Sequence, residues 1–109
     1  MRVTLGRVRA ACWEQYEAAY RQYVQTQASV KGLRARWLAR STTDLDMGCT
    51  ISVWDTAADM EAYERSDAVR QEILPRLVPF LSSEFIAHHC SVECGDLSFD
   101  EVLQSLQFR

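Results

Sequence analysis

Two adjacent histidines, His88 and His89, stand in the segment SEFIAHHCSVEC at positions 83 to 94, and three arginines alternate through LRARWLAR at 33 to 40. Three tryptophans, Trp13, Trp37 and Trp54, and a tyrosine, Tyr63, are spread over the first two thirds of the chain. An imidazole titrates near neutrality and can take a proton, a guanidinium can steady an anion, and large rings can wall a cavity against water. The candidate base is His88 or His89; neighbours on a strand point to opposite faces, so only one can enter a given cavity. Arg36 or Arg40 is the candidate for the anion, and Trp13, Trp37, Trp54 and Tyr63 are the candidate walls. Each also has a plain structural use. A strand histidine is commonly hydrogen-bonded or at an interface, a strand arginine reaches solvent or a partner carboxylate, and Trp54 can pack the corner where a strand turns into a helix.

A metal site is a second chemistry to weigh. His88, Cys90 and Cys94 would share one face of a strand and could offer imidazole and thiolate ligands. The chain has no C-x-x-C pair and no second Cys/His cluster, so no metal is expected. Cys12, Cys49, Cys90 and Cys94 read instead as reduced thiols in half-buried positions, because a chain that is 48% apolar needs no disulfides to fold.

The elements that must position these residues follow from periodicity. RVTLGRV at 2 to 8 reads as a strand with Val3 and Leu5 on one face and Gly6 at a bulge or close approach. From Cys12 to about Ser29, Trp13, Tyr16, Tyr20, Tyr23 and Val24 recur at helical spacing, an aromatic stripe that suits a core or interface before a ligand wall. Gly32 suits the stop of that helix. Strand two sets Leu33, Ala35, Trp37 and Ala39 against Arg34, Arg36, Leu38 and Arg40. After the turn TDLDMG, strand three, CTISVWD, is apolar on both faces. Thr56 and Asp59 mark the start of a second helix, Ser66 can cap a further segment after a break near Arg65, and Pro75 should kink or end it. Phe85 to Val92 alternates as strand four. In the tail, Ser98 and Glu101 form a capping box ahead of Val102, Leu103 and Leu106, predicting a short terminal helix.

The order β-α-β-β-α-β predicts an α+β, ferredoxin-like domain over residues 1–94, with two helices on one face of a four-stranded antiparallel sheet, followed by a helical tail at 95–109. Strands that are apolar on both sides predict that a second copy covers the other face, making a homodimer. With 109 residues, a net charge of −3 and arginines dispersed along the chain, nothing favours nucleic acid. No run approaches the length of a membrane span and the N-terminus lacks the apolar core of a secretory signal, so the expected location is the cytoplasm.

The pattern SVWDT followed by AADMEAYERSDAVR resembles the strand-Trp-acidic-Thr, helix, aromatic, Ser signature of the antibiotic biosynthesis monooxygenase superfamily, and VKGLRARWLAR resembles its second strand. The resemblance covers about residues 1 to 94 and implies a dimeric α+β barrel. It implies a cofactor-independent monooxygenase acting on a small aromatic or polyketide-type substrate, in which the base and the cation named above would deprotonate a phenol or enol and hold its anion beside dioxygen. The haem-degrading branch would need an Asn in strand one, and a Trp and a His where this chain has Tyr63 and Ile73, so no haem is implied. The quinol-oxidising branch tends to carry a His in helix two, and none lies between Trp54 and Phe85. The alternative is a non-catalytic dimeric barrel that binds a small ligand or serves as an assembly module.

Overall fold

The computed structural model describes residues 1–83 and 85–95. Four strands, β1 (Arg2–Arg7), β2 (Leu33–Arg40), β3 (Met47–Trp54) and β4 (Ile86–His89), form one sheet in the order β2-β3-β1-β4, with every neighbouring pair antiparallel. Helices α1 (Trp13–Thr26) and α2 (Ala57–Glu64) follow β1 and β3, and a π-helical turn (Ala68–Ile73), a short α3 (Leu74–Leu77) and a 3-10 turn (Val78–Phe80) lead into β4. This is the ferredoxin-like β-α-β-β-α-β order. The expected terminal helix lies outside the described residues.

Local chemistry sets the element boundaries. Helix α1 closes at Thr26 rather than near Ser29, because the Gln27 amide and the Thr26 hydroxyl both donate to the Tyr23 carbonyl. Gly32 sits at the entry to β2 instead of at the helix end. Its φ of +80 and the 2.6 Å that would separate a Cβ from Asp59 Cβ require glycine there. Thr56 caps α2 by accepting from the Asp59 amide at 3.0 Å. The break after Glu64 is built by Ser66, whose hydroxyl donates to the Tyr63 carbonyl and accepts from the Val69 amide. Downstream, the Leu74 amide reaches back five residues to Val69, and Pro75, which has no amide hydrogen to offer, follows at once.

Strand β4 is shorter than its alternating pattern suggests. Reciprocal bonds between the Met1 amine and the Cys90 carbonyl and between the Cys90 amide and the Met1 carbonyl close its pairing with β1. Cys90 and Cys94 therefore lie past the strand and do not share a strand face with His88, which removes the geometry on which a metal site was weighed. No group of three or more metal-ligating side chains occurs among the described residues. All four cysteines are free. Strand β2 carries an irregularity between Leu33 and Ala35, so Leu33 pairs with Trp54 and turns to the face opposite Ala35.

Cross-strand partners point the same way, so the register assigns each residue to a face. Arg36, Ser52, Arg2 and His89 form one row beneath the helices; Leu38, Thr50, Thr4 and Ala87 form the next. Arg40, Gly48 and Gly6 form a third. On the opposite face Trp37, Ile51, Val3 and His88 make one row, and Ala39, Cys49, Leu5 and Ile86 another. The core cluster of Val8, Trp13 and Tyr16 lies at one end of the helix-covered side, packed by Cys12, Leu38, Leu77, Phe80 and Leu81.

Candidate functional site

Between the sheet and its helices lies a cavity of about 120 Å³. Its floor is the small and polar face of β1 and β3, with Thr4, Gly6, Gly48, Thr50 and Ser52. Tyr16, Tyr20 and Tyr23 of α1 and Trp54 and Tyr63 from the β3–α2 corner supply rings, and Ile73, Leu74, Leu77 and Phe85 complete an apolar wall. Glycines at two paired floor positions leave the space open. At Gly6 a Cβ would meet ordinary contacts at 3.5 Å, whereas at Gly48 it would press on the Trp13 ring at 3.0 Å.

Three buried polar atoms that line this space have no hydrogen-bond partner: Thr4 Oγ1, Arg36 Nη1 and Tyr63 Oη. Buried polar groups are nearly always paired, and leaving one unpaired costs about 1 to 3 kcal/mol. Arg36 is anchored from behind, since Nη2 donates to the Val24 carbonyl at 2.9 Å and to the Gln27 carbonyl, and its guanidinium stacks 5.0 Å from the Tyr23 ring centre. Those contacts fix one edge of the fork and leave Nη1 over. Trp54 rests against Tyr63 with ring centres 5.4 Å apart and donates from Nε1 to Ser52 Oγ at 2.9 Å. Burial, with the Tyr23 hydroxyl nearby, raises the pKa of Tyr63; burial likewise raises that of Tyr20 and Tyr16. These phenols stay protonated at neutral pH and act as donors.

A charged cluster stands beside the cavity. Glu64, at the last turn of α2, accepts from Arg2 Nε at 3.1 Å through one carboxylate oxygen and lies 2.9 Å from His89 Nε2 through the other. Arg2 and Glu64 both line the cavity, and His89 connects Glu64 to the surface, its side chain 43% exposed.

Of the residues singled out in the sequence, Arg36, Trp54 and Tyr63 meet in the cavity. His89 joins them at one remove, through Glu64. His88 lies on the face of the sheet opposite the described helices, as does Trp37, which is 42% exposed. Trp13 is buried in the core cluster on the helix side, its ring under the Arg40 guanidinium at 4.7 Å and its Nε1 donating to Glu17 at 3.4 Å. That contact commits Arg40 to Trp13, and its Nε donates to the Leu45 carbonyl. Thr4, Glu64 and the hydroxyls of α1 were not anticipated as site groups. Thr4 carries a signal in retrospect, being the polar residue between Val3 and Leu5 on a strand whose other face is apolar. Glu64 carries none, because a helix-end glutamate reads as solvated.

A model of the antibiotic biosynthesis monooxygenase family matches residues 2–72. No functionally curated protein matches the sequence significantly. Solved structures match the fold closely at low identity. A protein of Bordetella bronchiseptica assigned to the same family superposes with a TM-score of 0.76 at 18% identity, covering 85% of this chain and 95% of its own. One from Caulobacter crescentus gives 0.73 at 15% identity, covering 84% of this chain and 88% of its own. A conserved protein of Methanosarcina mazei gives 0.70 at 16% identity, with coverages of 80% and 86%. At such identities the superpositions speak for the fold alone, and the family match, which spans well over half of the sequence, carries the assignment: this chain belongs to the antibiotic biosynthesis monooxygenase family.

Proposed function

We propose that the protein is a cofactor-independent monooxygenase acting on a small aromatic substrate with an acidic hydroxyl, and that it works as a homodimer. The observation that carries the reading is the convergence of Thr4 Oγ1, Arg36 Nη1 and Tyr63 Oη, unpaired and buried, in one aromatic-walled space. Three groups able to donate, none of them in a well-formed hydrogen bond and with the Arg36 guanidinium and the Tyr23 hydroxyl both beside Tyr63, match an oxygen that carries, or develops, negative charge. The volume, about 120 Å³ against about 150 Å³ for an apolar cavity that admits benzene, sets a single ring as the upper size. A polyketide-type molecule would place one ring in the site.

The chemistry needs no bound redox group because the substrate is its own reductant. Loss of the hydroxyl proton makes an electron-rich anion, held by Arg36 and the two hydroxyls. Dioxygen attacks the ring carbon para to that oxygen; one oxygen atom stays on the ring, and the other leaves as water with the hydroxyl hydrogen and the hydrogen displaced from carbon. A phenol and dioxygen thus become a quinone and water. The second copy would cover the apolar face formed by Val3, Leu5, Trp37, Ile51 and Ile86, of which Leu5, Trp37 and Ile86 are 44%, 42% and 60% exposed.

Oxygen uptake with a panel of single-ring phenols tests the reading, with Arg36→Met as the control. Turnover that falls about 100-fold or more in the variant is expected. Tight phenol binding with no oxygen uptake on any member would replace the enzyme by a binding module. Failure of every phenol to bind would end both readings.

A further inference from the structure

We infer that Glu64 is the proton acceptor of the cavity. The inference rests on the proposed reading that the ligand has an acidic hydroxyl, and it adds the group that receives the proton.

Among the described lining residues, one group alone is chemically able to take the proton. The guanidinium groups of Arg2 and Arg36 hold their protons at any working pH. The hydroxyls of Tyr16, Tyr20, Tyr23 and Tyr63 are neutral phenols and too weak as bases, and burial raises the pKa of Tyr16, Tyr20 and Tyr63. The threonine and serine hydroxyls are far too weak as bases. His88 lies on the other face of the sheet. Glu64 is the one carboxylate that lines the space.

Its setting also fits the task. A carboxylate offers roughly four lone-pair positions. Arg2 and His89 each engage one, on different oxygens, which fixes the group without exhausting it. Among the described residues these two, from β1 and β4, are the titratable groups in contact with Glu64, while Arg36 from β2 and the Tyr63 hydroxyl also border the cavity. The positive charge of Arg36 stabilises the anion that remains when the proton moves. The step balances: the ligand O–H bond breaks and an O–H bond forms on Glu64, at a lone pair that Arg2 and His89 leave free, and when the ligand departs the proton passes to water from a carboxylate that is itself 28% exposed. Arg2 and His89 thereby act as positioning residues.

The test measures the affinity of 4-nitrophenol, a single-ring phenol that titrates in the neutral range, against pH, by quenching of tryptophan fluorescence. If Glu64 takes the proton, the wild-type protein binds the neutral phenol. Affinity is then flat below the probe's pKa and falls about tenfold per pH unit above it. Glu64→Gln, nearly equal in size, can bind only the phenolate, so its affinity rises with pH and levels off above that pKa. The sign of the pH dependence reverses. Calorimetry in two buffers of different ionisation enthalpy gives a second reading on the wild-type protein alone: above the probe's pKa, binding takes up a proton. The same sign in both proteins, or binding without proton uptake, overturns the role of Glu64 and leaves the cavity reading standing. Absence of any binding to the wild type overturns the cavity reading, and this inference with it.

Discussion

On the face of the sheet that the helices cover, the strands present Arg2, Thr4, Gly6, Arg36, Thr50 and Ser52; on the face they leave open, the same strands present Val3, Leu5, Trp37, Ile51 and Ile86. An ordinary one-sided sheet has the opposite arrangement, with apolar residues under the helices and polar ones toward water. The inversion assigns a task to each side. Polar groups kept under a roof of tyrosines are costly and are retained where something is to be recognised. The apolar groups on the opposite face, with Trp37 at the β2 edge, are those the proposed second copy would remove from water, at roughly 25 cal/mol for each Å² buried.

The sharpest way to break the comparison uses two consecutive residues, Arg36 and Trp37, which point to opposite faces of β2. Trp37→Glu is expected to abolish self-association outright, so native mass spectrometry would record monomers at all accessible concentrations. Arg36→Met is expected to leave assembly intact and weaken phenol binding about 10- to 100-fold, the worth of a charged hydrogen bond. Monomers from the second variant, or an intact dimer from the first, would show that the two faces do not divide their tasks in this way.

Glycines separate site from scaffold in the same manner, with smaller effects. Gly32→Ala forces a Cβ into Asp59 at a positive φ and is expected to cost about 2 kcal/mol or more in chemical denaturation. Gly6→Ala meets only ordinary contacts, so stability should change by less than about 1 kcal/mol while the cavity loses the volume of a methyl group and phenol affinity falls.

The smallest effect concerns alkaline pH. Tyr16, Tyr20 and Tyr63 have folded pKa values raised by burial, so the stability they confer is complete below the ordinary tyrosine pKa near 10 and is lost progressively above it, as pH climbs toward the raised folded values. Tyrosinate absorbance from these three should appear together with unfolding. If it appeared earlier, with circular dichroism unchanged, their hydroxyls would be in contact with water.

The strand and helix order was legible because alternation and helical spacing are local, and the capping groups Thr56 and Ser66 mark their own helix starts. The allocation of faces was not legible to the same degree. Alternation in β2 shows that Arg36 and Trp37 part company, yet it does not say which of them the helices cover, and the usual preference points to the tryptophan. The irregularity after Leu33 and the π turn before Pro75 escape local pattern for a related reason: each is one residue out of step, visible only when the neighbouring strand or helix supplies the register. The site inherits this limit. Arg36, Trp54 and Tyr63 could be named from residue type, whereas Glu64 becomes conspicuous only when β1 and β4 bring Arg2 and His89 to it.

The paired glycines of the cavity floor have an adaptive consequence. Gly6 and Gly48 stand side by side on neighbouring strands, and a single nucleotide change turns a glycine codon into one for alanine. The two positions are unequal: Gly6 has room for the added methyl, while Gly48 is held by the Trp13 ring. A lineage can therefore trim the cavity in small heritable steps at position 6 while position 48 stays pinned by the core. If the cavity takes the proposed ligand, divergence in its size would be expected to begin at that one site.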